Sequence, residues 1–395
     1  MLRISDASWI SSGRKNNQAD IKFKINKRGD DMSLYEILKN KDYLPILTMN
    51  DGSPVTKETW AKRRREMIDL LSEYSYGYTP NVEVSVSARD RETVRYDFAG
   101  KCTHERLSLV YETKHGSGSF PIQIFTPTSV SHPPVIINIA FNLAPDWYIP
   151  VEEVIDSGYA LVVVDYRDMV NDNHYGDFSD GIATHFGTAN VRQGNEWGKI
   201  GMWAWGTSRV LDYLILERSE LDTEKVAVIG HSRLGKTALW CAAQDERFAA
   251  AISNNSGYGG AASSKHGEGE RITDFIRLGS DDWFCENFKC FKDAENEKPY
   301  DQSFLLSLIA PRYLIVGSAE LDRGADPKSE FLTALHASKA WELLGTKGLV
   351  TPDEMPSPGA HLGDGNILYH YRGGKHFLSR DDWTAYIRFL DSKFK

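Results

Sequence analysis

The chain has 395 residues, 41% hydrophobic and 11% aromatic, enough apolar material for a large buried core. Its formal net charge of −9 argues against a nucleic-acid partner, whose phosphates need a basic surface, but leaves room for a local Arg/Lys pocket facing an anionic ligand. No apolar run reaches bilayer-spanning length, so no membrane partner is expected.

Residues 1–31 are polar, basic-leaning and without helical or strand periodicity, which predicts a disordered extension, with Met32 as an alternative start. They lack the apolar centre of a signal peptide, and a cytoplasmic location is the expectation. Trp60, Met67, Leu70 and Leu71 recur at helical spacing within Thr56–Tyr74. Val82–Val86, Leu107–Tyr111 and Phe120–Phe125 read as strands, and the alternation of the first suits an antiparallel strand with one wet face. Val135–Ile139, Ala160–Val164, Val226–Ile229, Ala249–Ile252 and Leu314–Val316 are short and almost wholly apolar, as parallel strands covered on both faces should be. Trp203–Leu216 and Ser329–Leu344 read as crossover helices. The pattern predicts one α/β domain over 32–395, a mainly parallel sheet between helical layers with an antiparallel N-terminal edge. Insertions at 168–198 and 256–303 interrupt it, and loops that long in a compact domain are usually binding loops or disordered. Trp283, in the second insertion, either stacks on a sugar ring or simply packs its loop. Cys102, Cys241, Cys285 and Cys290 follow no zinc spacing and read as free thiols; a Cys285–Cys290 disulfide is the alternative in an oxidising compartment.

The apolar run Val226–Ile229 leads straight into Gly230-His231-Ser232-Arg233-Leu234-Gly235-Lys236. A buried strand that hands over to a helix through a Ser flanked by small residues is the form of a nucleophile elbow, in which the turn lifts the hydroxyl clear of the sheet. The competing reading is that Ser232 only caps the helix. The spacing departs from Gly-x-Ser-x-Gly, because Leu234 holds the place of the second Gly. A serine needs a base, and His376 lies on the Gly-rich loop between the strand-like Ile367–Tyr371 and an amphipathic helix over Asp381–Phe394. His370, inside the strand pattern, reads as a core histidine; His361, taken as a loop residue, is a second competitor. The acid follows the Tyr313–Ser318 strand, where Asp322 is preferred, Asp326 reads as the N-cap before Pro327, and Glu320 as a solvated carboxylate. Ser232, Asp322 and His376 then follow the chain order Ser, acid, His of the α/β-hydrolase fold.

Gly-His-Ser-Arg-Leu-Gly-Lys-Thr-Ala-Leu-Trp (230–240), with Ala-Gln-Asp-Glu-Arg-Phe-Ala (243–249), Ser-Gly-Tyr-Gly-Gly-Ala-Ala (256–262), Trp-Phe-Cys-Glu-Asn-Phe (283–288), Ala-Asp-Pro (325–327) and Gly-Lys-His (374–376), resembles carbohydrate esterase family 15, the glucuronoyl esterases. The likeness runs from about residue 45 to the end. It implies a serine esterase that uses no metal or cofactor and takes a carbohydrate substrate, an ester of 4-O-methyl-glucuronic acid on xylan or a methyl glucuronate. The resemblance implies Ser232 as nucleophile, His376 as base and Arg233 at the oxyanion. It also implies Lys236 and Glu270 (or Glu268) at the sugar hydroxyls. Two departures stand out. Asn254-Asn255-Ser256 replaces the stretch where fungal members carry the acid, which moves that role to Asp322, where some bacterial members carry theirs. Gly324 stands where bacterial members tend to have Trp. A carbohydrate deacetylase acting on acetyl xylan is the alternative function, and a non-catalytic carbohydrate-binding relative a third.

Overall fold

A computed structural model describes residues 33–94, 96–173, 176–186, 192–265 and 267–395. The predicted extension over 1–31 and the alternative start at Met32 lie outside the described residues. Ten strands form one sheet: β1 (Ser85–Val94), β2 (Cys102–Thr113), β3 (Gly116–Pro127), β4 (Pro134–Ala140), β5 (Ala160–Asp165), β6 (Asp222–His231), β7 (Ala250–Asn254), β8 (Tyr313–Ala319), β9 (Ala360–Leu362) and β10 (Ile367–Arg372). Their order is β1-β2-β3-β5-β4-β6-β7-β8-β10-β9. From β5 to β10 every pairing is parallel. β1, β2 and β3 add an antiparallel edge on one side, joined through β3 to β5. β9 closes the other side, antiparallel to β10.

The apolar runs became the parallel strands because alternate side chains bury on opposite faces. Ile137, Val162 and Val228 face one core with Trp203 and Trp240. Ile136, Leu161, Ala227 and Ile229 face the other with Trp383, Tyr386 and Leu390. Helices α1 (Trp60–Leu71), α2 (Lys199–Glu217), α3 (Arg233–Gln244), α4 (Pro327–Leu343) and α5 (Arg380–Phe394) supply the covering layers. Trp203 and Trp240 lie on α2 and α3, and Trp383 on α5, so the sheet is sandwiched as an α/β-hydrolase sheet is.

Two elements differ from expectation. β1 begins at Ser85 and continues through Arg89-Asp90-Arg91-Glu92, with a register shift between Arg89 and Glu92, rather than spanning Val82–Val86. It is an edge strand with exposed side chains, so charge is tolerated there and apolar patterning understates its length. β9, three residues long, carries too little pattern to predict; it places His361 in a strand opposite His370 rather than on a loop. The four cysteines are all free, with Cys290 exposed and the others buried. Among the described residues no helix is long and apolar enough to cross a membrane.

The site is positioned by where the parallel strands end. His231 pairs with Asn254, Asn254 with Gly317, and Arg372 with Ala319. The residues that follow therefore leave the sheet along one edge, the carboxyl end where α/β sheets bind ligands. At that edge α3 turns back against β6 so closely that a Cβ on Gly230 would come within 2.0 Å of the Leu234 carbonyl oxygen. Gly230→Ala is expected to cost about 3 kcal/mol or more through overpacking, read as a lowered urea midpoint; an unchanged midpoint would mean that the turn opens without penalty.

Candidate active site

Ser232 occupies the turn between β6 and α3 with φ 59° and ψ −127°, a conformation costly for a residue with a Cβ. Its side chain makes no capping hydrogen bond to α3, so the helix-cap reading does not describe it. The strain is held by backbone bonds on both sides. Ser232 N–H donates to Asn254 O at 2.9 Å, and the N–H groups of Gly235 and Lys236 donate to Ser232 O at 2.9 and 3.2 Å.

His376 Nδ1 lies 2.6 Å from Asp322 Oδ2. An ionised Asp322 fixes the proton on Nδ1 and leaves Nε2 as the basic nitrogen. The imidazole is 45% exposed, within reach of solvent and ligand, whereas Asp322 is buried. Its ring centroid is 4.4 Å from that of His231, the residue before Ser232, which ties the histidine loop to the elbow. Burial and the neighbouring His376 push His231 down to about 3, so it stays neutral; its Nδ1 is 2.6 Å from Asn254 Oδ1. Burial alone would raise the Asp322 carboxyl. The hydrogen bond and charge of His376, with the Asn255 amide, outweigh it and hold the group below the usual carboxylate range.

The other candidates are placed elsewhere. Glu320 is exposed, and its N–H donates to Arg372 O. Asp326 caps α4, accepting from Ser329 N at 3.0 Å, and also accepts from Glu268 N at 2.7 Å. His370 Nε2 faces Asp381 and Asp382 at 3.4 and 3.6 Å. Asn255 Nδ2 donates to Asp322 Oδ2 at 2.7 Å, so the two loop positions considered for the acid meet at one carboxylate oxygen.

Arg233 forms an ion pair through Nη1 with Asp172, and its guanidinium carbon sits 4.3 Å from the centre of the Trp283 ring. Its Nε is buried without a partner among the described residues. Trp283 is 7% exposed and donates Nε1–H to Asp172 Oδ1 at 2.7 Å. With Arg233 across one face of its ring, it packs the loop against the elbow. Lys236 is buried; its ammonium donates to Ser256 O and lies 3.5 Å from Glu270 Oε2. Desolvation lowers its pKa despite the carboxylates of Glu270 and Glu330. Glu270 is 38% exposed and donates N–H to Gly324 O at 3.0 Å, while Glu268 faces solvent at the rim. Gly324 sits between Asp322 and Glu270 with space to spare, since an added Cβ would stay 3.9 Å from both side chains.

Four positions that support the candidate site escaped sequence reasoning: Asp172, Arg372, Asp382 and Glu330. Arg372 ends β10 and donates to the carbonyls of Gly373, Lys375 and Phe377, clamping the loop that carries His376. Its Nε is held by the fully buried Asp382 at 2.7 Å, and Leu321 N–H donates to Gly374 O at 2.9 Å, joining the acid and base loops. Glu330, on α4, accepts from the N–H groups of Ser256 and Gly257 at 2.9 Å and from Ser318 Oγ at 2.5 Å. Complete burial pushes its carboxyl up to about 8. Among the described residues no group of three or more His, Cys, Asp or Glu is arranged to hold a metal.

Residues 110–345 match the family model described as "Glucuronyl esterase, fungi". The chain belongs to the glucuronyl esterase family. It is 32% identical over 386 residues to carbohydrate esterase MZ0003 from an unknown prokaryotic organism, covering 87% of this chain and 88% of that one. It is 29% identical over 324 residues to the 4-O-methyl-glucuronoyl methylesterase of Hypocrea jecorina, covering 76% of this chain and 62% of the fungal one. Among solved structures it resembles a glucuronoyl esterase from Solibacter usitatus, with TM-score 0.81, 32% identity and coverage of 89% of this chain and 98% of that one. A promiscuous CE15 esterase from the marine bacterial metagenome gives TM-score 0.79 and 31% identity over 88% and 96% of the two chains. Membership makes the chain a carboxylic ester hydrolase by family.

Glu330 generates a pH test. Its folded value of about 8 lies above the ordinary 4.5, so the folded protein holds a proton that the unfolded chain releases between those values. This contribution to stability is therefore complete below pH 4.5 and is lost as pH rises toward 8. Glu330→Gln cannot titrate, and its amide oxygen can still accept from the N–H groups of Ser256 and Gly257. Urea unfolding of the variant should fall less steeply over that window than the parent; equal slopes would mean that Glu330 is ionised throughout.

Proposed function

We propose that the protein hydrolyses esters of glucuronic acid, of the 4-O-methyl-glucuronoyl type carried on xylan or as methyl glucuronate, through an acyl-enzyme on Ser232. The observation that carries the reading is the 2.6 Å contact between His376 Nδ1 and the buried Asp322, set beside the strained turn that presents Ser232. His376 Nε2 takes the Ser232 hydroxyl proton as Oγ attacks the ester carbonyl. The tetrahedral oxyanion meets the Arg233 backbone N–H and guanidinium, whose Nε has no partner among the described residues. Collapse breaks the bond to the alkoxide, which leaves as the alcohol with the proton from His376. Water, deprotonated by the same nitrogen, then attacks the acyl carbon and releases glucuronic acid and free Ser232. Asp322 stays ionised and stabilises the imidazolium in both halves.

The acyl group is the sugar acid itself, so its hydroxyls lie on the side of Lys236 and Glu270. The exposed Glu270 carboxylate accepts from those hydroxyls, and the buried Lys236 ammonium holds it in place. The match to a glucuronyl esterase model favours the glucuronate ester over the acetyl-xylan alternative, and the intact Ser, acid and His favour catalysis over binding alone.

Hydrolysis of benzyl glucuronate, measured beside acetylated xylo-oligosaccharide, should proceed on the first substrate and be abolished by Ser232→Ala. Acetate release alone would replace this reading with the deacetylase. Asp322→Asn should lower kcat by about 10⁴-fold, the order seen when a triad acid becomes an amide. Near-parent turnover in that variant would remove Asp322 from the role.

A further inference from the structure

Asp172 lies in the first insertion, outside every motif that marks the catalytic residues. Its side chain is 2% exposed, yet it carries a full charge beside the site. Three donors from three separate segments meet on it. Arg233 Nη1, from the start of α3, pairs with Oδ2; Tyr166 Oη–H, just after β5, donates to Oδ2 at 2.9 Å; and Trp283 Nε1–H, from the second insertion, donates to Oδ1 at 2.7 Å. Burial would raise this carboxyl, but the Arg233 charge and the Trp283 and Tyr166 bonds reverse the effect and keep it ionised.

The consequence falls on Arg233. A long guanidinium side chain beside a nucleophile has many rotamers, and only a fixed one is preorganised for a charge that develops during reaction. Asp172 takes Nη1 from one side and the Trp283 ring lies across the guanidinium at 4.3 Å, with Phe141 5.8 Å away. Nε is left buried and without a hydrogen-bond partner among the described residues.

We infer that Asp172 is a positioning residue that locks the Arg233 guanidinium toward the oxyanion, and so couples both insertions to the chemical step. The inference rests on the proposed esterase reading, in which Arg233 meets the reacting carbonyl. Interactions that strengthen only in the transition state act on kcat, so the effect of Asp172 should appear there and be absent from KM.

The test uses steady-state hydrolysis of benzyl glucuronate by the full chain, with thermal unfolding of each variant. Asp172→Asn keeps an acceptor for Trp283 and removes the charge facing Arg233; kcat should fall about 10- to 100-fold with KM unchanged, the scale of a misplaced catalytic group. In an Arg233→Gln background the same substitution should cost no more than about twofold, because the two residues act as one unit. Asp172→Glu, which keeps the charge but moves it by one methylene, should lower kcat in the same manner and serves where Asp172→Asn does not fold. Tyr166→Phe, which removes one of the three donors on Asp172, should lower kcat by less than Asp172→Asn does. A rise in KM with kcat intact, a full additive loss in the Arg233→Gln background, or parent kcat in Asp172→Glu would each overturn the inference. Persistence of activity in Ser232→Ala would instead overturn the esterase reading on which it stands.

Discussion

Everything at the reactive edge depends on how closely α3 is pressed against the end of β6. Gly230 gives the Leu234 carbonyl room to approach, and Ser232 accepts a positive φ because backbone bonds to Asn254, Gly235 and Lys236 leave it no relaxed alternative. The cost of one strained residue is of order 1–3 kcal/mol, small against the burial of the whole strand behind it. In return the hydroxyl is presented by a rigid element rather than by a mobile loop. The neighbouring strand ends then set where its partners stand, since Asn255, the 320–326 loop and the 373–377 loop all leave the sheet along the same edge.

The loops themselves are tied down by ionisable side chains taken out of water. Arg372 spans three carbonyls of the histidine loop and is anchored by Asp382. Lys199 and Asp282 form a buried pair at 2.8 Å between α2 and the second insertion. Glu330 gathers two backbone N–H groups and a hydroxyl under the loop of Asn255. Such groups contribute little net stability compared with apolar packing, but removing one partner strands the other, so they specify a single loop arrangement. Irregular backbone that cannot bond to itself in ladders finds its partners in these side chains.

The parallel sheet was legible because burial on both faces leaves a mark in composition: Val226–Ile229 and Ala160–Val164 could hardly be anything but central strands. Ser232 and His376 were legible because a Gly-rich turn at a strand end has few other uses. Asp322 could be chosen over Asp326 because Pro327 revealed a helix start. Asp172 sits in a stretch of Asn, Asp and Gly where no local pattern separates one carboxylate from the next, and its importance arises only from what the fold brings to it. Arg372 looked like the tail of a strand, and Glu330 like any helix glutamate, because neither burial nor partners at long sequence distance are written locally. Trp283 could not be resolved from sequence for the same reason: whether an indole faces a ligand or an arginine is decided by a residue fifty positions away.

One contact described above bears on how such a site can change over time. Asn255, at the end of β7, and Asp322, after β8, touch at a single oxygen, and that oxygen is the one His376 uses. Two separately encoded loops, leaving adjacent strands, thus meet at the carboxylate that holds the imidazole. A substitution in either loop therefore alters the surroundings of one and the same carboxylate oxygen. The setting of that carboxylate is a property of the place where two loops meet, and neither loop holds it alone.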